Sequence, residues 1–244
     1  MNQTGPPAKG ELLYEGKAKR VYATADPACV VIEYKDDATA FNAKKRGRIE
    51  QKGAMNNAIS AYVFELLSAR GIPTHYIRRL GERETLAWRV EIIPIEVVVR
   101  NIAAGSLSNR LGLAEGTPLS HTVIEFYYKN DALQDPMVNR SHVRALGIAS
   151  DAEMDEMSRL ALWINGELRR AFEPLGLVLV DFKVEFGRKD GAVLLADEIS
   201  PDTCRLWDAA TGERLDKDRF RRDLGGVAEA YRQVLERIEG SWSR

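Results

Sequence analysis

The stretch LVLVDFKVEFG, residues 177–187, constrains the fold more than any other. From Asp181 the residues alternate: Asp181, Lys183 and Glu185 are charged, whereas Phe182, Val184 and Phe186 are apolar. In a β-strand successive side chains point to opposite faces, so this segment has one face for a core and one charged face. The following run, AVLLADEIS, is a second strand, reached through the Gly-containing connection RKDGA. That is a hairpin pattern, and it brings Asp197 beside the charged face of its neighbour.

The rest of the chain fits around such a sheet. LLYEG, KRVYAT and CVVIEYK are short β-type runs separated by Gly16 and Asp26-Pro27, the pattern of an antiparallel meander. EIIPIEVVVRN and TVIEFYY are further strands, and Pro94 predicts an edge or a bend in the first. Lys52 to Arg70 carries Met55, Ile59, Val63, Leu66 and Leu67 at helical spacing, with Gly71 at the position of a C′ glycine. Ala152 to Phe172 predicts a helix ending before Pro174, and Asp218 to Glu239 a closing amphipathic helix weakened by Gly225-Gly226. Met1 to Gly10 reads as a frayed tail. Strands and helices mixed without strict alternation imply an α+β fold with antiparallel sheets and flanking helices.

Like charges crowded on one strand face repel unless a cation sits among them. Asp181, Glu185 and Asp197 with Lys183 can therefore be a site for Mg²⁺, a hard ion that takes oxygen ligands and accompanies phosphates. A solvated face with exchangeable ion pairs gives the same pattern. GKAKR adds Lys17 and Lys19 at strand spacing in a glycine-led turn. It is not a P-loop: Gly10 to Gly16 encloses five residues rather than four, and Ala18 stands where Ser or Thr belongs. VVVRNIAAGSLSNRLG delivers Arg100 from a strand to a short helix with Ser106 as its expected N-cap, an arrangement suited to a monophosphate. His75, His121 and His142 lack metal-ligand spacing and read as surface or capping residues, and Trp88, Trp163 and Trp207 as core aromatics.

GKAKRVY, EVVVRNIAAGSL, FYYKNDALQDP, LVDFKVEFG and DEISPDTCRLWD occur in this order, and together they resemble the SAICAR synthetases, the phosphoribosylaminoimidazole-succinocarboxamide synthases of purine biosynthesis. The resemblance runs from about Glu11 to the final helix. It implies an ATP-grasp-like fold and an ATP- and Mg²⁺-dependent ligase that condenses carboxyaminoimidazole ribotide (CAIR) with L-aspartate. It further implies Lys17 and Lys19 on the ATP phosphates, and Asp181, Glu185 and Asp197 on metal and nucleotide. Arg100, Ser106 and Arg205 would hold the ribotide phosphate, and Lys183 the substrate carboxylate, with Lys183, Glu185 and Asp197 as the catalytic group. Lys129, Asp131 and Asp135, joined by Glu96, would lie near the imidazole ring.

Three units are expected: residues 1–86 as a β-rich nucleotide-binding subdomain, 87–209 as a central α+β subdomain with the ribotide and metal sites, and 210–244 as a helix packed on the rest. The net charge of −1 offers no bulk field for nucleic acid or an acidic membrane. Cys29 and Cys204 are too few for a disulfide scaffold and read as free thiols. No secretory signal or membrane-length apolar run is seen, so the expectation is a soluble cytoplasmic enzyme, homo-oligomeric and dimeric by preference. Two rivals share the lysines and carboxylates: a small-molecule kinase, and a nucleotide sensor without turnover.

Overall fold

The computed structural model describes residues 7–40 and 45–242; of the tail expected over Met1 to Gly10, residues 1–6 lie outside that range. The chain runs β1 (Leu12–Glu15), β2 (Lys19–Ala23), β3 (Cys29–Tyr34), β4 (Asp37–Ala40), β5 (Lys45–Arg48), α1 (Lys52–Ala69), β6 (Tyr76–Arg79), β7 (Glu84–Trp88) and β8 (Glu91–Ile102). It continues through α2 (Gly105–Leu111), β9 (Pro118–Tyr128), β10 (Met137–Val138), α3 (Arg140–Ala145), α4 (Asp151–Phe172), β11 (Leu177–Lys189), β12 (Ala192–Ala196), β13 (Cys204–Asp208), α5 (Asp218–Arg221) and α6 (Val227–Trp242). Helices flank antiparallel sheets, an α+β fold.

The first sheet has the order β1-β2-β3-β7-β6, and its first three strands form the expected meander. The second has the order β10-β9-β8-β11-β12, with β13 also on β11. The segment Pro73–His75 joins the two: His75 N donates to Leu195 O at 2.8 Å, and Trp88 N donates to His75 O at 2.7 Å. β4 and β5 form a separate hairpin.

β11 organises the second sheet. One edge pairs with β8, while the other is shared, β13 taking Leu177 to Phe182 and β12 taking Glu185 to Lys189. Between them the loop 197–203 leaves the sheet, held by Lys183 N donating to Thr203 O at 2.8 Å. Phe182, Val184 and Phe186 are fully buried in the core with residues of α1, α4 and α6. Burying each such side chain stabilises the fold by roughly 2–3 kcal/mol. Their core placement fixes the opposite, charged face toward a cavity.

α1 ends with Arg70 as C-cap and Gly71 at φ 83°, and α4 starts at a Ser150–Glu153 capping box. The β11–β12 hairpin turns on Asp190 and Gly191, both at positive φ. β8 is an interior strand, not an edge, and Pro94 takes the expected bend instead: Glu96 pairs with Glu185 and Ile92 with Gly187, so β8 bulges at Ile93–Ile95, three residues opposite the single Phe186 of β11. Two expectations need correction. The expected closing helix is two, because Gly225 and Gly226 (φ 70° and 58°) break the chain between α5 and α6. Ala104, not Ser106, is the N-cap of α2. No helix among the described residues is long and apolar enough to cross a membrane.

Candidate active site

The charged face of β11, the turn before β2, the β4–β5 hairpin and the loops after β12 and β13 enclose a cavity of about 900 Å³. Lys17, Lys19, Glu96, Arg100, Ser106, Lys129, Asp131, Asp135, Asp181, Lys183, Glu185, Asp197 and Arg205 all line it. The cavity has two chemically distinct ends.

At one end stand two arginines. Arg100 is buried; its Nε donates to Glu125 and its NH1 to Asp181, both at 2.7 Å, and its NH2 donates to the Ser106 hydroxyl at 3.1 Å. Arg205 donates NH1 to the same Asp181 oxygen at 2.7 Å and Nε to Asp218 at 2.8 Å. Its NH2 lies against Gly105, only 2.5 Å from where a Cβ would sit, and Gly105 holds φ 53°. Only glycine gives the guanidinium that approach. Burial works against both cations, but the carboxylates, Asp181 foremost, raise their pKa above the ordinary value. Ser106 thus presents its hydroxyl to Arg100, and to Arg110 at 3.3 Å, instead of capping α2.

At the other end lysines and carboxylates interleave. Lys183 Nζ lies 2.9 Å from Glu96, 2.8 Å from Glu185 and 4.0 Å from Asp197. Lys129 donates to the second oxygen of Glu185. Lys19 pairs with Asp197, and with Glu198 at 3.0 Å. Burial would lower the Lys183 pKa, yet Glu185, Glu96 and Asp197 hold it well above the usual lysine range. Burial would likewise raise Asp197, but Lys19 and Lys183 keep it far below the carboxylate range. Asp197 sits at φ 61°, left-handed backbone that a non-glycine residue adopts at a cost. Lys17 and Asp131 pair at 2.6 Å at the rim, and Asp135 accepts from Asn130 N at 2.8 Å, folding that loop.

The expected grouping of Asp181, Glu185 and Asp197 on one metal does not form. Asp181 shares their strand face but belongs to Arg100 and Arg205, four residues along β11 from Glu185, or about 13 Å of strand. Among the described residues no group of three or more His, Cys, Asp and Glu could hold a metal. What remains is a two-carboxylate oxygen donor set, Glu185 and Asp197, both beside Lys183. That fits Mg²⁺, which typically takes one or two carboxylates and completes its shell with substrate phosphates and water.

A second cleft, about 280 Å³, adjoins the first through Lys19, Lys129, Glu185 and Asp197. Val21, Val30, Ile32 and Trp88 give it apolar walls, and His75 also lines it. His75 is buried, not on the surface; burial, then Lys19, pushes its pKa down to about 4, so it is neutral. Trp88 is a partly exposed cleft wall rather than core. Glu198 and Asp202, charged residues of the DEISPDTCRLWD segment, also line the site, and Glu125, Tyr127, Lys217, Asp218 and Arg221, on which no expectation was placed, surround it. Alternation in IEFYY placed Glu125 and Tyr127 on one face, the only signal for them.

Comparison with known proteins accords with this geometry. The family model described as SAICAR synthetase matches residues 12–238. A phosphoribosylaminoimidazole-succinocarboxamide synthase of Clostridium botulinum (strain Okra / Type B1) is 57% identical over 230 residues, covering 94% of this chain and 98% of the relative. The enzyme of that name from Desulfitobacterium hafniense (strain Y51) is 58% identical over 231 residues, 95% and 97% of the two chains. A crystal structure of the Ehrlichia chaffeensis synthase superposes with TM-score 0.91 at 48% identity, covering 94% of this chain and 98% of the other. A SAICAR synthetase in complex with ADP gives TM-score 0.91 at 47% identity, with the same coverage. The chain belongs to the SAICAR synthetase family.

Proposed function

We propose that this protein joins L-aspartate to the carboxylate of CAIR at the expense of ATP, giving SAICAR, ADP and phosphate. One observation carries the reading beyond family membership. A single cavity holds a guanidinium pair at Gly105–Ser106 and, at its other end, a lysine–carboxylate array that opens into an apolar cleft. Planar guanidinium groups suit a ribotide phosphate. The apolar cleft suits a flat base, with Lys17 and Lys19 at its exit toward the phosphates.

The division of labour follows from the contacts. A carboxylate does not acylate an amine near neutral pH, because oxide is too poor a leaving group. It must first acquire a better one. An oxygen of the CAIR carboxylate attacks the γ-phosphorus, the bond to the β-phosphate oxygen breaks, and ADP leaves. The aspartate amine then attacks the carbonyl carbon, loses a proton, and expels phosphate through a tetrahedral intermediate. Lys183, cationic among Glu96, Glu185 and Asp197, is suited to hold the CAIR carboxylate in line with the phosphorus. Lys17 and Lys19 offset charge on the transferring group. Lys129, with the Asp131 and Asp135 loop, borders the space between the two ends. Glu185 and Asp197 would hold Mg²⁺, which when bound neutralises charge at the β–γ bridge.

The reading includes a cytoplasmic setting, which suits the two buried free thiols Cys29 and Cys204, and a homodimer, which sedimentation tests directly. ADP release measured with CAIR, with and without L-aspartate, alongside mass detection of SAICAR, tests the function. ADP without aspartate incorporation would indicate the kinase; no ADP would indicate the sensor.

A further inference from the structure

Lysines 17, 19, 35, 129, 183 and 217 line the larger cavity. Five of them donate hydrogen bonds to a carboxylate: Lys17 to Asp131, Lys19 to Asp197, Lys35 to Glu15, Lys129 to Glu185, and Lys183 to Glu96 and Glu185. Lys217 is different. Its side chain is 15% exposed, and its nearest carboxylate oxygen, on Asp202, is 3.9 Å away.

That carboxylate is already committed. One Asp202 oxygen accepts from Lys52 Nζ at 2.6 Å and the other from the Tyr231 hydroxyl at 2.7 Å. The nearby Glu198 is engaged as well, facing Lys19 at 3.0 Å and accepting from the Ser200 hydroxyl at 2.6 Å. Burial therefore prevails over the attraction of Asp202, and the Lys217 pKa falls below its ordinary value. A mostly buried ammonium without a hydrogen-bonded counter-ion is costly unless an anion is to come.

Its place indicates which anion. Lys217 N donates to Pro201 O at 3.0 Å, seating this residue on the loop 197–203, which begins at Asp197 and leads into β13 with Arg205. Arg221, one turn along, also lines the cavity and uses one nitrogen on Asp218 at 2.6 Å. Asp218, which contacts Arg205, also holds Arg221, and Glu198, which contacts Lys19, acts on Lys217 through its charge. The pair thus lies between the nucleotide end and the ribotide-phosphate end. Lys17 and Lys19 answer to the nucleotide, Arg100 and Arg205 to the phosphate, and Lys183 to the CAIR carboxylate. The remaining substrate carries two carboxylates, and among the described lysines of the cavity Lys217 is the one whose ammonium has no hydrogen-bonded carboxylate, with the Arg221 guanidinium beside it.

Resting on the ligase reading above, we propose that Lys217, assisted by Arg221, binds a carboxylate of L-aspartate and so holds its amine toward the activated CAIR carbonyl. The test is the Lys217→Met variant of the full chain, with KM measured separately for L-aspartate, CAIR and ATP. The KM for L-aspartate should rise by about tenfold or more, as expected for a lost charge-assisted hydrogen bond, with those for CAIR and ATP unchanged. Lys217→Arg, which keeps the charge, should recover part of the loss.

An unchanged KM for L-aspartate in a variant with native circular dichroism overturns the assignment, as does an equal rise for CAIR. Should Lys217→Met not fold, Arg221→Gln decides by the same comparison. Failure of the ligase reading itself shows in the unaltered protein, which would then form no SAICAR, and the assignment falls with it.

Discussion

Replacing Arg205 by lysine should damage ribotide binding and spare ATP. Arg205 joins Asp181 at 2.7 Å and Asp218 at 2.8 Å while laying NH2 over Gly105. A lysine ammonium is a single point on a thinner stem; it can meet one of those carboxylates but cannot present a planar fork beyond them. Asp181 keeps Arg100 and Asp218 keeps Arg221, so neither buried carboxylate is stranded and the fold should survive. What is lost is one charge-assisted bond to the phosphate, about 2 kcal/mol, or roughly thirtyfold in the KM for CAIR. Steady-state kinetics with each substrate varied in turn is the assay, with a thermal melt as the folding control. A matching rise in the KM for ATP, or no rise for CAIR, would refute the assignment of this end of the cavity to the phosphate.

Two other perturbations read different parts of the molecule. Asp197→Asn keeps the side chain's shape but removes the charge facing Lys19 and Lys183; turnover should fall by about 10²-fold or more and respond more weakly to Mg²⁺, needing a higher concentration to saturate. Near-normal turnover at low Mg²⁺ would contradict this. Burial, then the neighbouring Asp218 carboxylate, pushes Asp216 from 3.8 up to about 7. The folded protein therefore retains a proton that the unfolded chain releases, a contribution complete below pH 3.8 and lost as pH rises through about 7. Asp216→Asn mimics the protonated form, so its stability relative to the parent should grow with pH across that window, by about 1.4 kcal/mol per unit. His75, pushed down to about 4, gives the opposite slope below pH 6.5, but equally in both proteins. Parallel melting curves from pH 4 to 8 would rule the Asp216 argument out.

The strand face that opens the cavity was legible because its period is local: Phe182, Val184 and Phe186 could only go inward together, which fixed Lys183 and Glu185 outward. The meander of β1 to β3 and the ends of α1 and α4 were legible for the same reason, in turn, cap and glycine signals. Asp181 was misread because facing is not partnership. Which charges meet across strands depends on register, and Arg100 and Arg205 arrive opposite Asp181 from β8 and β13. His75 gave no signal, since its burial depends on the crossing of segment 73–75 between two sheets. Pro94 allowed either an edge or a bend, and only the pairing partners of β8 decide between them: the strand is interior and bulges at Pro94. Lys217 was invisible because what marks it, a committed Asp202, is set by Lys52 and Tyr231, far away in the chain.

The claim that one cavity activates the CAIR carboxylate as an acyl phosphate is tested most directly by isotope transfer. With both CAIR carboxylate oxygens labelled with ¹⁸O, and ATP and L-aspartate present, the account predicts ADP as the nucleotide product and one label per turnover in inorganic phosphate. AMP as product, or unlabelled phosphate accompanying SAICAR, would contradict it.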